Sequence, residues 1–435
     1  MTPIDRFERQ LPMALTDLAV PQTPDYLTDI LGQTARTRQR PAWASIERWL
    51  PMELVSKRAT VARMPWRQLG VLALIALLLA AALAVFVGSQ QRRLPPPFGR
   101  AANGSILYTM DGDIYAADPR TGASRAIVTG PERDEEPVYS RDGTRLLFGR
   151  TSSATPQRLL FVANADGSGI VQVTPEPLPG ISSWSFSPDG RSIVAFASGD
   201  QGPIIVVIPS DGKTAPKAFP VFASSADGGD GPPMYRPDGS EIMFIGKDPG
   251  QLVRGVYALN ATTGTVRTLV APSTTNLDIH GASWSPDGKY VAYGVSNQGP
   301  EAVAPKTHVV GVDGSGDVVV DTEPVHVADF GFDWANDSTR LIITRWYTAD
   351  GSNSRDAIVP IDRSSAGVEI ACPPGAQGDD CTASWTFSPD DSMLLGSLGH
   401  ADGTTAQFLG DPQTGQIRAA PWSGSGQPIW QRLAP

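Results

Sequence analysis

The sequence predicts an all-β chain closed into a β-propeller, and three observations carry that reading. A short turn motif recurs at a nearly fixed interval, each interval holds about four strand-like runs, and the composition is turn-rich. The 435 residues include 44 Gly and 39 Pro, and 18% are charged, which suits a compact β protein with many tight turns.

The motif is clearest from Ser183 to Phe196, "SWSFSPDGRSIVAF". It returns as "VYSRDGTRLLF" from Val138, "MYRPDGSEIMF" from Met234, "SWSPDGKYVAY" from Ser283, "DWANDSTRLII" from Asp333 and "WTFSPDDSMLL" from Trp385. The turn aspartates Asp142, Asp189, Asp238, Asp287, Asp337 and Asp390 stand 47, 49, 49, 50 and 53 residues apart, a period of propeller-blade size. Runs such as "PIIVVIPSDG" and "APKAFPVF" supply the remaining strands of a four-stranded blade.

Repetition has a physical cause. A lone four-stranded sheet cannot cover both of its faces, whereas a closed ring gives every sheet two neighbours. Gly tolerates the positive φ of the tight turns, and Asp bonds its own backbone two residues on. Trp184, Trp284, Trp334, Trp385 and Trp430 are large apolar wedges for the gaps between blades. The ends fit a ring as well: "GSILYTMDGDIYAADPRTGASRAIV" offers three strands with no tryptophan strand before them, and "QPIWQRLAP" offers a tryptophan strand with nothing after it. Joined, they complete one blade, which gives seven over residues 103–435, with six or eight as the alternatives.

The "WSPDGKYVAY" pattern with a terminal "IWQ" resembles the TolB-type WD-like β-propeller repeat over essentially all of residues 103–435. The resemblance implies the fold and is weak for function. Two repeats depart from it: Asn336-Asp337-Ser338 replaces the usual turn, and Asp391 stands where Gly is usual.

Ahead of the repeats, residues 69–87, "LGVLALIALLLAAALAVFV", run without a charge for long enough to cross a bilayer as one transmembrane helix. Residues 1–65 read as a cytosolic segment of short helices, each needing a partner surface, and "RPAWASIERWLPM" as an amphipathic stretch that suits either the headgroup region or a contact within the module. Residues 89–102 form a Pro-rich linker. Basic residues flank the span almost evenly, so the cysteines set the orientation. Cys372 and Cys381, in "CPPGAQGDDC", are disulfide candidates, which places the large domain in an oxidising compartment. The expectation is a single-pass cell-membrane protein with a cytoplasmic N-terminus and an extracytoplasmic propeller. Only six of the thirty-five basic residues are Lys, a skew of GC-rich bacterial genomes.

Several chemistries are disfavoured. Residues 89–435 carry twenty-five Lys/Arg against thirty-eight Asp/Glu, the wrong balance for nucleic acid. No Gly-x-Ser-x-Gly elbow occurs, so no catalytic residue is assigned. His280, His308, His326 and His400 are scattered without ligand spacing and read as surface or turn residues, so neither metal nor cofactor is expected. Asp111–Asp118 and Asp227–Gly231 read as turn chemistry ahead of calcium ligation.

The expected function is a non-enzymatic binding or scaffold domain that receives a protein, peptide or cell-envelope ligand at a propeller face. The alternative is a transmembrane regulator, resembling the anti-sigma-factor layout, in which residues 1–65 bind a cytosolic partner and the propeller senses. Those residues contain neither Cys nor His, which excludes the zinc-binding form of that module.

Overall fold

In the computed structural model, residues 73–79 and 99–434 are described, apart from loop positions 152–156, 175–180, 182, 223–230, 249, 252, 274–276, 298–304, 324–327, 349–352, 377–378 and 401–403. The chain divides into two compact units, Met1–Gln91 and Arg92–Pro435. Of the span read at residues 69–87, residues 73–79 are helical, with Leu74, Ile75, Leu77, Leu78 and Leu79 exposed. Among the described residues no helix is long and apolar enough to cross a membrane. The rest of that span, and residues 1–65, lie outside the described residues.

The second unit is a seven-bladed propeller, the count expected from the repeat. Its described strands, β1–β29 in chain order, form seven sheets. Six blades are continuous in sequence: β4–β7 (residues 133–172), β8–β11 (184–220), β12–β15 (234–270), β16–β19 (277–319), β20–β23 (328–369) and β25–β28 (384–419). The seventh joins β29 (Ser425–Leu433) to β1 (Ala102–Met110), β2 (Asp113–Ala117) and β3 (Ser124–Val128), with β29 antiparallel to β1. One short strand, β24 (Asp379–Cys381), adds in parallel to β22 (Asn353–Pro360), and Cys372 and Cys381 are joined there by a disulfide.

The core lies between the blades. Trp184 packs with Leu147, Leu160 and Val162 of the preceding blade. Trp284 does the same with Met243 and Val256, Trp334 with Ala292 and Val309, Trp385 with Ile342 and Ile358, and Trp430 with Leu395 and Leu409. These five tryptophans occupy two registers. Trp284 and Trp334 stand at the residue next to the turn, opposite Val291 and Leu341, and Trp430, on the last strand, holds the matching place opposite Ile106. Trp184 and Trp385 stand two residues earlier, and Phe186 and Phe387 take the place beside the turn. Trp385 has room across the sheet because its partner is Gly396, where a Cβ would come within 2.3 Å of the ring, whereas Trp184 faces Ala195. The two gaps without tryptophan are filled by other aromatics, Tyr139, Phe148 and Phe161 in one, and Phe222, Phe244 and Tyr257 in the other.

Candidate functional site

The repeated turns are built by one hydrogen-bond scheme. Asp142, Asp189, Asp238, Asp287, Asp337 and Asp390 each accept, through Oδ1, the main-chain N–H two residues on, at 2.9–3.1 Å. In four turns a serine completes it. The hydroxyls of Ser140, Ser187, Ser285 and Ser388 donate to that Oδ1 and accept the N–H five residues on, from Arg145, Ser192, Tyr290 and Met393. Burial pushes the carboxyls of Asp189, Asp238, Asp287, Asp337 and Asp390 up, but the donated hydrogen bonds outweigh it and hold them below the ordinary carboxylate range.

The turns meet one another around one end of the propeller. Gly190 comes up to Ser140, and Gly239 to Pro188. Arg236 Nη2 donates to Gly288 O at 3.2 Å, and Asp287 N to Ser338 Oγ at 3.0 Å. Asn336 N donates to Asp391 Oδ1 at 2.7 Å, Asn103 Nδ2 to Asp390 Oδ1 at 2.8 Å, and Gln431 Nε2 to Gly143 O at 2.7 Å. These contacts close the circle. They also explain both departures from the turn consensus. Ser338 and Asp391 hold the left-handed conformation that Gly holds in the other turns, at φ 62° and 60°. Each uses its side chain to bond a neighbouring turn, which Gly could not do. The chain enters the propeller at this same ring: Ala101 N donates to Pro389 O, and Arg100 pairs with Asp337 and Asp391.

Inside the ring lies the channel. Two cavities, of about 650 and 720 Å³, share Arg141, Gly331, Asp333, Asn336, Thr386 and Phe387 as walls. Asp333 is half-buried by exposed area yet crowded by protein on every side, and that loss of solvation pushes its carboxyl up to about 6, against the N–H of Phe387 at 3.2 Å and the charge-lowering bond from Thr386. Asp356 is also raised to about 6 by burial, although Thr344 Oγ1, Ala383 N and Trp385 Nε1 all donate to it.

The signs of these shifts fix a stability profile. Asp333 and Asp356 have folded values raised above the ordinary 3.8, so their contribution is fully present below about pH 4 and is lost as pH rises through about 6. The turn carboxyls are lowered, so theirs is present above about pH 4 and lost as pH falls further. Melting temperature is therefore expected to peak between about pH 4 and 6. Asp333→Asn, which can still accept from Phe387 N, should raise stability at pH 8 by on the order of 2 kcal/mol and leave it unchanged at pH 4. An Asp333→Asn variant whose melting temperature tracks wild type across this range would refute the assignment.

Of the histidines placed on the surface or in turns by the sequence reading, two belong to strands. His308 lies in β18 (Lys306–Gly311), stacked on Tyr293, and His280 in β16 (Leu277–Trp284), beside the second cavity. His280 pairs through Nε2 with Ser296 Oγ, a contact that invites a catalytic reading. Its Nδ1 faces Arg254 Nη2 at 3.1 Å, and Arg254 is bound to Asp278 at 2.8 Å. A guanidinium only donates, so Nδ1 is the acceptor and the ring proton sits on Nε2, donated toward Ser296. A histidine in that tautomer cannot take the serine proton. His326 lies outside the described residues.

Asp111-Gly112 is the two-residue turn between β1 and β2, with both φ values positive, and Asp118 accepts the N–H groups of Arg120 and Thr121. Residues 223–230, most of the second aspartate-rich loop, lie outside the described residues. Among the described residues no group of three or more His, Cys, Asp or Glu is arranged to hold a metal.

No protein-family model matches the chain, and no curated protein is significantly similar to it. Solved structures do share its fold. A prolyl endopeptidase aligns at 12% identity over 76% of this chain and 50% of its own, with a TM-score of 0.55. An oligogalacturonate lyase from Vibrio parahaemolyticus aligns at 13% identity over 73% of this chain and 86% of its own, with a TM-score of 0.52. TolB from Acinetobacter baumannii aligns at 17% identity over 77% and 81%, with a TM-score of 0.46. What this chain shares with the first two is the propeller alone, a fold that hosts unrelated activities.

Proposed function

We propose that this chain is a membrane-tethered, extracytoplasmic docking protein, whose propeller receives a segment of a protein, peptide or cell-envelope partner in its channel without transforming it. The observation that carries the reading is the pair of adjoining channel cavities, whose polar walls are Arg141, Asn336, Ser384, Thr386 and Gln427 beside the carboxyls of Asp333 and Asp356. Such a lining orients a ligand through a few placed polar contacts over an apolar floor, here Trp385, Phe387 and Ile429. The Ser296–His280 contact has the wrong tautomer for a nucleophile, which favours binding over catalysis. The tether is the apolar run at residues 69–87.

A photocrosslinking amino acid placed at Ser384, in the channel wall, tests this in the full-length chain expressed in cells. Adducts are expected from Ser384 and not from Arg418, which lies exposed on an outer strand. Equal labelling from both positions, or none from Ser384, would overturn the reading.

A further inference from the structure

A further cavity, of about 540 Å³, lies in the cleft between the blade closed by β29 and the blade that begins with β4. It shares no wall residue with the two channel cavities. Arg125 of β3, Tyr139 at the end of β4 (Arg133–Tyr139) and Arg145 at the start of β5 (Arg145–Thr151) line it, together with Asp166. Tyr139 stands beside its turn, where Phe186 and Phe387 stand in their blades, so the place calls for a ring and not for a hydroxyl. It is only 9% exposed. The ring packs with Ile114, Leu146 and Phe148, and the hydroxyl, at the cleft, has no hydrogen-bond partner among the described residues. Burial pushes the phenol up, against the charge of Arg125, so it stays protonated as a donor.

We propose that this cleft is an oxyanion site outside the channel, in which the Tyr139 hydroxyl, Arg125 and Arg145 take the carboxylate or phosphate group of a ligand. An acceptor there meets a hydroxyl that the fold buries and leaves unbonded. The two guanidiniums supply the charge. Residues 89–435 carry twenty-five Lys/Arg against thirty-eight Asp/Glu, yet neither arginine makes an ion pair within 4 Å among the described residues. The other charged residues at the place of Arg145 are paired, Glu241 with Arg267 at 2.6 Å and Arg340 with Asp337 at 3.6 Å. Arg145 instead donates through Nη1 to Ser210 Oγ at 2.6 Å, a neutral partner that fixes the guanidinium and leaves its charge unmatched. Asp166, the carboxylate in the wall, feels the charge of Arg125 but stands beyond pairing distance, and its Oδ1 accepts Ser168 N and Oγ at 3.0 and 2.6 Å. Planar guanidinium forks are the side chains best matched to carboxylate and phosphate oxygens.

Melting of the full-length chain in detergent, followed at pH 7.5 in sodium phosphate, sodium acetate and sodium chloride at equal ionic strength, tests the site. Phosphate or acetate is expected to raise Tm by about 3 °C over chloride. A response to phosphate alone assigns a phosphoryl ligand, a response to acetate alone a carboxylate, and a response to both their shared oxyanion chemistry. Arg125→Gln, at an exposed side chain, should fold as wild type does and lose the response. Tyr139→Phe copies Phe186: it should melt in chloride at or above wild type, because no bond is lost, and should roughly halve the response. No rise in wild type overturns the site. So does a rise that Arg125→Gln keeps in full, which is then the general exclusion of these anions from protein surface. A Tyr139→Phe chain that melts more than about 2 °C below wild type in chloride overturns it too, since the hydroxyl then has a partner within the protein. The inference does not rest on the channel, whose crosslinking from Ser384 is read separately.

Discussion

A chain ended at Gly424 is expected to lose at least about 6 kcal/mol of stability, most of what a domain has to lose. The missing strand, β29, is antiparallel to β1 from Ala102↔Leu433 to Thr109↔Ser425 and supplies the inner edge of its blade. Its side chains face both neighbours. Trp430 is buried against Leu395 and Leu409 on one side, and Ile429 packs with Leu107, Tyr139 and Leu146 on the other. Removing a buried tryptophan alone costs about 3–5 kcal/mol, so Trp430→Ala should account for a little over half of the loss. The remainder comes from the ladder, from Ile429 and from the bare N–H and C=O groups of β1, an unpaired edge that invites association between chains. Thermal melting by circular dichroism and light scattering would read both effects. A truncated chain that melts within about 2 °C of wild type and stays monomeric would show that the ring needs no closure.

The features read correctly from the sequence are those set by local chemistry. The turn period counts the blades because each blade must return the chain to the channel, and the unmatched strand runs at the two ends reveal the composite blade. The tryptophans read as wedges of one kind, and their identity alone does not show that they occupy two registers. Aligning on the turn separates them, because register follows the backbone bonds around Ser187 or Ser388 and not the bulkiest neighbour. The raised carboxyls of Asp333 and Asp356 could not be read at all. Their shifts come from what residues distant in the chain place around them, as does the pairing of Arg345, only 2% exposed at its side chain, with Asp321 at 2.7 Å.

Replacing Asp391 by glycine restores the consensus turn and yet is expected to destabilise the protein by about 3 kcal/mol, a fall in Tm of roughly 5 °C or more. Two effects oppose one another at this position. The backbone sits at φ 60°, which a residue with a Cβ adopts at a cost of about 1 kcal/mol, and glycine would relieve it. Against that, the fully buried carboxylate accepts from Asn336 N at 2.7 Å, Asn336 Nδ2 at 2.9 Å, Asp337 N at 3.0 Å and Arg100 Nε at 2.9 Å. Hydrogen bonds to a charged group contribute about 1.5–3 kcal/mol each when isolated, and removing the shared acceptor strands several donors at once. The second effect dominates. Ser338→Gly provides the control, since that position has the same backbone at φ 62° but gives up one neutral bond, from Asp287 N at 3.0 Å. Its change should lie within about 0.5 kcal/mol of zero. If Asp391→Gly instead melts above wild type, left-handed strain outweighs the bonds between turns, and the circle of turn-to-turn contacts is not what holds the seven blades in register.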